Sequence, residues 1–316
     1  MTFESLKLDY STTRRVTRVS PEICDKPEVK FRPQLFLPHH PGRKGEGGLR
    51  RLGYFKASGS HGRNCVDATP HPLVTVITVV FNGAANLDQT ILSVLNQTYD
   101  NIEYIIVDGG STDKTLGIIR RYDHAIDYWV SEPDAGIYDA WNKGVSLSGG
   151  DWIAFLGAGD TYMHGGIEAY VASIKGCQGV PPQYISSRVN LTSESRVLRT
   201  IGEQWRWSIF RKHMNVAHLG SLHSRGLFES RGLFDTSYKI CGDYEFLLRP
   251  RSGLRATYLN AVTASMTIGG VSDTNPLAFR ETARAKTTTG GRSKLLSHIE
   301  SLLAVCKWKL RKWLWY

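Results

Sequence analysis

The 316-residue sequence predicts an α/β fold: a mostly parallel sheet flanked by helices, followed by a C-terminal amphipathic helix. Three observations carry this prediction. Runs such as LVTVITVVFNG and NIEYIIVDGG are continuously apolar or β-branched, the pattern of central strands buried on both faces. Segments with apolar residues at helical spacing lie between such runs, so strand and helix alternate from residue 73 to residue 160, as in a right-handed parallel α/β sheet. The tail KLLSHIESLLAVCKWKLRKWLWY then repeats apolar residues at helical spacing beside a cluster of Lys, Arg and Trp.

Taken in order, residues 1–70 hold few periodic apolar positions and many Arg, Lys, Pro and Gly, which reads as a basic, poorly ordered extension. A packed domain is expected over 71–270. It opens with the LVTVITVV strand and the turn Asn82-Gly83, and NLDQTILSVLNQTY follows as a helix through Leu87, Ile91, Val94 and Leu95. NIEYIIVDGG is the second strand, TLGIIRRY a helix, IDYWVSE a strand, GIYDAWNKGVSLS a helix and DWIAFLG a strand. GIEAYVASI reads as a further helix, and residues 218–249 end in another. ATYLN and AVTASMTIGG suggest edge pairings before the C-terminal region, 271–316.

Composition narrows the functional class. With 39 Lys+Arg against 29 Asp+Glu the net charge is +10, which suits a nucleic acid, an anionic membrane surface or a phosphorylated substrate. A nucleic-acid role has only that charge in its favour. The five cysteines (Cys24, Cys65, Cys177, Cys241, Cys306) form no CxxC pair and no metal-ligand spacing, so a reducing, cytoplasmic setting is expected. The N-terminus lacks a signal-peptide core, and nowhere do about eighteen apolar residues run together. Membrane contact is therefore expected to be peripheral, through the basic, Trp-rich tail on the inner face of the plasma membrane; docking of that helix on the domain is the alternative.

In parallel α/β sheets ligands bind outside the carboxyl ends of the strands, which directs attention to the loops FNGA, DGGSTD, SEPDAG and GAGD. Asp108 stands at a strand end before two glycines, where a carboxylate can meet a base or ribose, or form an Asx-turn. Asp134 caps the next helix, on which Lys143 can reach a phosphate; Asp139 reads as a cap. Asp160 closes GDWIAFLGAGD, and a hard cation such as Mg²⁺ or Mn²⁺ needs only one or two protein carboxylates when a diphosphate completes its shell. Asp243, at the start of a helix after Cys241-Gly242, can act as a general base or as an N-cap. Glu245 is the weaker candidate.

VTVITVVFNGAANLDQTILSVLNQTYDNIEYIIVDGGSTDKTLGII, SEPDAGIYDAWNKG, DWIAFLGAGD and HLGSLHSRGLFESRGLFDTSYKICGDYEFLLR together resemble, in order and spacing, the family 2 glycosyltransferases of GT-A fold. The resemblance spans roughly residues 72–270 and is nearest to bacterial enzymes of surface-polysaccharide, lipopolysaccharide or glycolipid assembly. It implies inverting transfer of a sugar from a nucleotide diphosphate, usually a UDP-sugar, to a glycan or lipid-linked hydroxyl. By the same resemblance Asp108 contacts the base or ribose, Asp160 ends an Asp-x-Asp-type metal motif, and Asp243 is the catalytic base. The donor set is then Val80, Phe81, Asn82, Asp108, Gly109, Asp134, Lys143 and Ala158. One departure stands out: the family commonly has two adjacent aspartates in the last loop, and here Gly159 precedes Asp160. Gly159 favours an alternative reading, a catalytically inert sugar-nucleotide or glycan-binding scaffold. A nucleotidyltransferase lacks its Gly-rich triphosphate loop after the first strand.

Overall fold

The computed structural model describes residues 2–6, 10–23, 29–57, 71–193, 196–270 and 275–315, with side chains to residue 310. Four parallel strands form the centre: β2 (Val74–Val80), β3 (Ile102–Asp108), β4 (Tyr128–Ser131) and β5 (Trp152–Gly157), in the order β4-β3-β2-β5. Every residue of β2, β3 and β4 is buried, as continuous apolar strands require. Their alternation divides the core between the faces. Val74, Val76 and Val80 meet one layer and Ile77 and Val79 the other.

Helices α1 (Leu87–Leu95), α2 (Thr115–Arg121) and α4 (Gly166–Lys175) cover the first face. The second face carries α3 (Ile137–Leu147), the short α5 (Trp207–Phe210), α6 (Arg225–Arg231) and α7 (Gly242–Leu248). Beyond β5 the sheet continues through β9 (Ser221–Ser224), β7 (Tyr184–Ser193) and β10 (Ala256–Thr267) to the short β6 (Thr161–Tyr162). β7 and β10 are parallel; β5-β9, β9-β7 and β10-β6 are antiparallel, and β8 (Arg196–Ile201) forms a hairpin with β7. The two strand signals near residue 260 are thus one twelve-residue strand.

The N-terminal segment departs from expectation. Residues 10–23 and 29–57, read from sequence as part of a poorly ordered extension, pack against the domain. Gly45–Gly47 forms β1, antiparallel to β4 at the sheet edge. Ser11, in a 3-10 turn, donates from its hydroxyl to the Val94 and Leu95 carbonyls at the end of α1 (3.2 and 3.0 Å). Arg50 forms a buried ion pair with Glu103 at 2.6 Å, and Lys56 is buried beside Asp127. The segment is held by hydrogen bonds and paired charges, which leave no apolar period in the sequence.

The C-terminal region forms α8 (Leu277–Thr288) and α9 (Lys294–Trp315). α9 is tied to α8 through Glu300, whose carboxylate pairs with Lys286 and with Arg292. Leu295, Ile299, Leu302, Leu303 and Leu310 are all exposed on α9. The side chains of Arg311, Lys312, Trp313 and Trp315, and Tyr316 as a whole, lie outside the described residues, as do Cys24 and Cys65. Among the described residues no helix is long and apolar enough to cross a membrane.

Candidate functional site

The loops after β2, β3, β4 and β5 meet at the carboxyl edge of the sheet. Asn82, with a positive φ of 51°, turns the chain after β2. Its amide donates to Ser111 Oγ (2.7 Å) and its Oδ1 accepts from the Thr112 amide (2.8 Å), stitching the FNGA and DGGST loops together. Asp113 accepts from the amides of Ala84 and Thr115, joining the loop after β2 to the start of α2. Val80 is buried and accepts from the Gly109 amide at 2.9 Å; Phe81 stands at the rim, 65% exposed. Ala158 packs beside Gly83, which joins the loop after β5 to the loop after β2.

Asp108 is fully buried. Its carboxylate accepts from the Ser111 amide and hydroxyl and from Ser131 Oγ at 2.5 Å. Asp108 ties the DGGS loop to the end of β4 and shapes the corner from beneath. Asp134 is the carboxylate at the surface of this corner. It lies over Gly109 and accepts from the Gly136 amide at 2.9 Å, and burial raises its pKa.

Lys143 is engaged with the loop before α3. Its ammonium donates to the Pro133 carbonyl and pairs with Glu132, both at 2.9 Å, so it braces the loop that carries Asp134. Asn142, one residue back and therefore on another face of α3, exchanges two 2.9 Å hydrogen bonds with the backbone of Phe234. Asp139 caps the start of α3 through the Ala135 amide.

Asp160 sits where the loop after β5 meets the end of β10. Its Oδ1 accepts from the Thr267 amide at 3.3 Å, and no cation pairs with it among the described residues. Burial raises its pKa to about 7. A desolvated carboxylate with no cationic partner among the described residues fits a site for a divalent cation, whose charge would offset that burial. Among the described residues no cluster of three acidic, His or Cys side chains could hold a metal unaided, so most of the ligands would come from a diphosphate and water. Gly159 has φ +102°, which side chains on L residues rarely adopt, and its amide and carbonyl bond Thr90 Oγ1 and Thr267 Oγ1 (both 2.9 Å). In this chain the position where the family places an aspartate has a backbone role.

Asp243 opens α7. Its Oδ1 accepts from the Tyr244 amide (2.9 Å) and lies 3.2 Å from the hydroxyl of Tyr138, whose one proton makes the shorter bond, 2.6 Å, to the Ile240 carbonyl. A β-carbon at Gly242 would fall 2.9 Å from the Tyr138 ring, so glycine permits this approach. Burial raises the Asp243 pKa to about 6, a value suited to a base at neutral pH. Tyr138 stands one residue into α3, directly after the SEPDAG loop, so its hydroxyl, against both Ile240 and Asp243, brings that loop to the start of α7. Lys239 adds a second link, donating to the Ala135 carbonyl at 2.9 Å. Glu245 is engaged with Arg249 at 2.6 Å and points away from this role.

Sequence reasoning missed Glu281. This buried carboxylate on α8 accepts from three consecutive amides, Lys239, Ile240 and Cys241 (2.8, 2.8 and 2.9 Å), and so fixes the turn leading into Asp243. LAFRETARAK carries no motif that announces it. His218, stacked on Phe155 and beside Trp141, has neither ring nitrogen partnered, and burial drives its pKa down to about 3. It is neutral and unsuited to proton transfer at physiological pH.

The family model "Glycosyl transferase family 2" matches residues 75–226. A "PGL/p-HBAD biosynthesis glycosyltransferase" of Mycobacterium bovis is 31% identical over 215 residues, covering 64% of this chain and 80% of the relative. An uncharacterized glycosyltransferase of Mycobacterium tuberculosis is 33% identical over 183 residues, covering 57% and 70%. Among solved structures, S. aureus TarS in complex with UDP-GlcNAc superposes with a TM-score of 0.55 at 14% identity, over 71% of this chain and 69% of that one. The mannosyltransferase PcManGT from Pyrobaculum calidifontis, in complex with GDP-Man and Mn²⁺, gives 0.52 at 19% identity over 76% and 72%. These likenesses show a GT-A fold. The chain belongs to glycosyltransferase family 2.

Proposed function

We propose that the protein transfers a sugar, with inversion, from a nucleotide-diphosphate donor to a hydroxyl of a glycan or lipid-linked acceptor in cell-surface polysaccharide or glycolipid assembly. The observation that carries this reading is the link between Asp243 and Tyr138. It sets a carboxylate of raised pKa beside the loop cluster that this reading assigns to the donor. A UDP-sugar is the proposed donor, in keeping with the UDP-GlcNAc complex of TarS.

In this reading the backbone of residues 80–82 and 109–111 forms the wall against the nucleotide, with Phe81 and Asp134 at its edge. Asp243 takes the proton of the acceptor hydroxyl as that oxygen attacks the anomeric carbon from the face opposite the diphosphate. One attack on one face inverts the configuration. Mg²⁺ or Mn²⁺ bound at Asp160 would supply positive charge to the departing diphosphate. Tyr138 holds the Asp243 carboxylate in place, and Asp108 and Lys143 keep the nucleotide loops in register.

The exposed apolar stripe of α9, with Lys294, Lys307 and Lys309 on the same helix, fits a peripheral contact with an anionic lipid surface. Incubation with UDP-sugars, Mn²⁺ and a membrane lipid extract should release UDP, and Asp243→Asn should abolish that release. Retained UDP binding with no turnover on any donor would favour the inert scaffold instead. Deleting residues 294–316 should move the protein from anionic vesicles to the supernatant; an unchanged distribution would remove the membrane assignment.

A further inference from the structure

The match to the family model begins at residue 75, yet two loops of the site are gripped from a segment well before it. Residues 44–47 run along the outer edge of β4. The Lys44 amide bonds the Ser131 carbonyl at 2.7 Å, and the Lys44 ammonium donates to the carbonyls of Gly110 and Ser111 at 2.8 and 3.0 Å. Arg43 places Nε 2.8 Å and Nη2 2.7 Å from the same oxygen of Glu132, the residue that follows β4. The other Glu132 oxygen accepts from Lys143. Glu132 is 3% exposed; its burial opposes ionisation, and the bonds from Lys143 and Arg43 more than compensate, holding its pKa below the usual range. Arg43 is itself anchored to Glu46 of β1 at 3.0 Å.

The strap thus cross-links DGGS and SEPD, two loops that follow parallel strands and have no ladder of their own to restrain them. A loop that must order itself on binding loses affinity, and one ordered beforehand does not. We infer that Arg43 and Lys44 are positioning residues for the donor nucleotide: they hold these loops in the binding-competent arrangement, so donor affinity depends on residues outside the transferase module. This rests on the assignment of those loops to the donor under Proposed function.

The test uses the full-length protein with UDP and GDP as probes in Mn²⁺ buffer. Binding would be followed by calorimetry, alongside melting temperature and the steady-state constants. Arg43→Ala and Lys44→Ala should each raise the nucleotide Kd and the donor KM about tenfold, the effect of losing a charge-assisted hydrogen bond. The kcat at saturating donor should stay within about twofold. Arg43→Lys should recover only part of the loss, because it cannot reproduce the planar fork of arginine. Lys56→Met is the control for stability, since it breaks a buried contact of the same N-terminal segment at Asp127, away from these loops. Unchanged nucleotide Kd in folded Arg43→Ala and Lys44→Ala proteins would overturn the proposal, as would an equal rise in Kd for Lys56→Met at matched stability. Wild-type protein that binds neither UDP nor GDP would refute the donor-site assignment itself, and the strap's role with it.

Discussion

Replacing Asp160 by asparagine should make the protein more stable and less active at once. Burial raises this carboxyl from 3.8 to about 7. Each unit corresponds to about 1.4 kcal/mol, so the ionised group destabilises the fold by at most about 4 kcal/mol above pH 7. The sign follows from proton binding. The folded state holds the proton more tightly than the unfolded chain, so this group's effect is absent below about pH 4, grows as pH rises to about 7, and is level thereafter. Asparagine keeps an oxygen for the Thr267 amide and carries no charge. Urea denaturation of the two proteins should give equal stabilities near pH 4 and an advantage of about 2–4 kcal/mol for Asp160→Asn at pH 8. Mn²⁺ with UDP should close that gap by stabilising the wild type alone, and the variant should lose metal-dependent turnover. A gap independent of pH would show that the fold does not desolvate Asp160. Full turnover in the variant would remove the metal assignment.

Three further outcomes are expected. Asp243→Asn should cut turnover about 10²–10⁴-fold while leaving UDP affinity nearly intact, and wild-type kcat/KM should fall on the acid side with a midpoint near pH 6, where the base becomes protonated; undiminished activity at pH 5 would argue against Asp243 as the base. Glu281→Ala leaves three amides without their acceptor and should cost about 2–4 kcal/mol in denaturant melts, together with a fall in kcat; Glu281→Gln should restore part of both. Gly159→Asp should lose about 1–2 kcal/mol of stability because of its positive φ. If the second acid of the family contributes to metal binding, the same variant should bind Mn²⁺ and UDP more tightly in a calorimeter, and unchanged affinity would confine the position to its backbone role.

Much of the central fold was legible because its cause is local. A seven-residue buried strand between two helical layers must be apolar throughout, and VTVITVV and IEYIIVD show that directly. The later strands were harder to read. YISSRVNLTS of β7 mixes Ser, Arg, Asn and Thr because it is buried at one end and half-exposed toward the other, so its apolar period is broken. The N-terminal segment was misread for a related reason: Arg50, Lys56, Arg43 and Lys44 look like solvated charges until their partners, as far away in sequence as Glu103, Asp127, Glu132 and Gly110, are brought beside them.

The candidate site divides in the same way. The sequence alone placed Asp108 at the end of a buried strand and Asp134 and Asp160 in the loops that follow such strands, because a buried parallel strand is apolar throughout and its polar residues begin where it ends. Tertiary structure decided what each group does. Asp108 and Lys143 were drawn into contacts within the protein, whereas Asp160 and Asp243 were left desolvated with few bonds and raised pKa values. Residue type and spacing fix the chemistry that a side chain can perform. Its partners and its access to water come from segments distant in the chain, and those set its charge and its freedom to act.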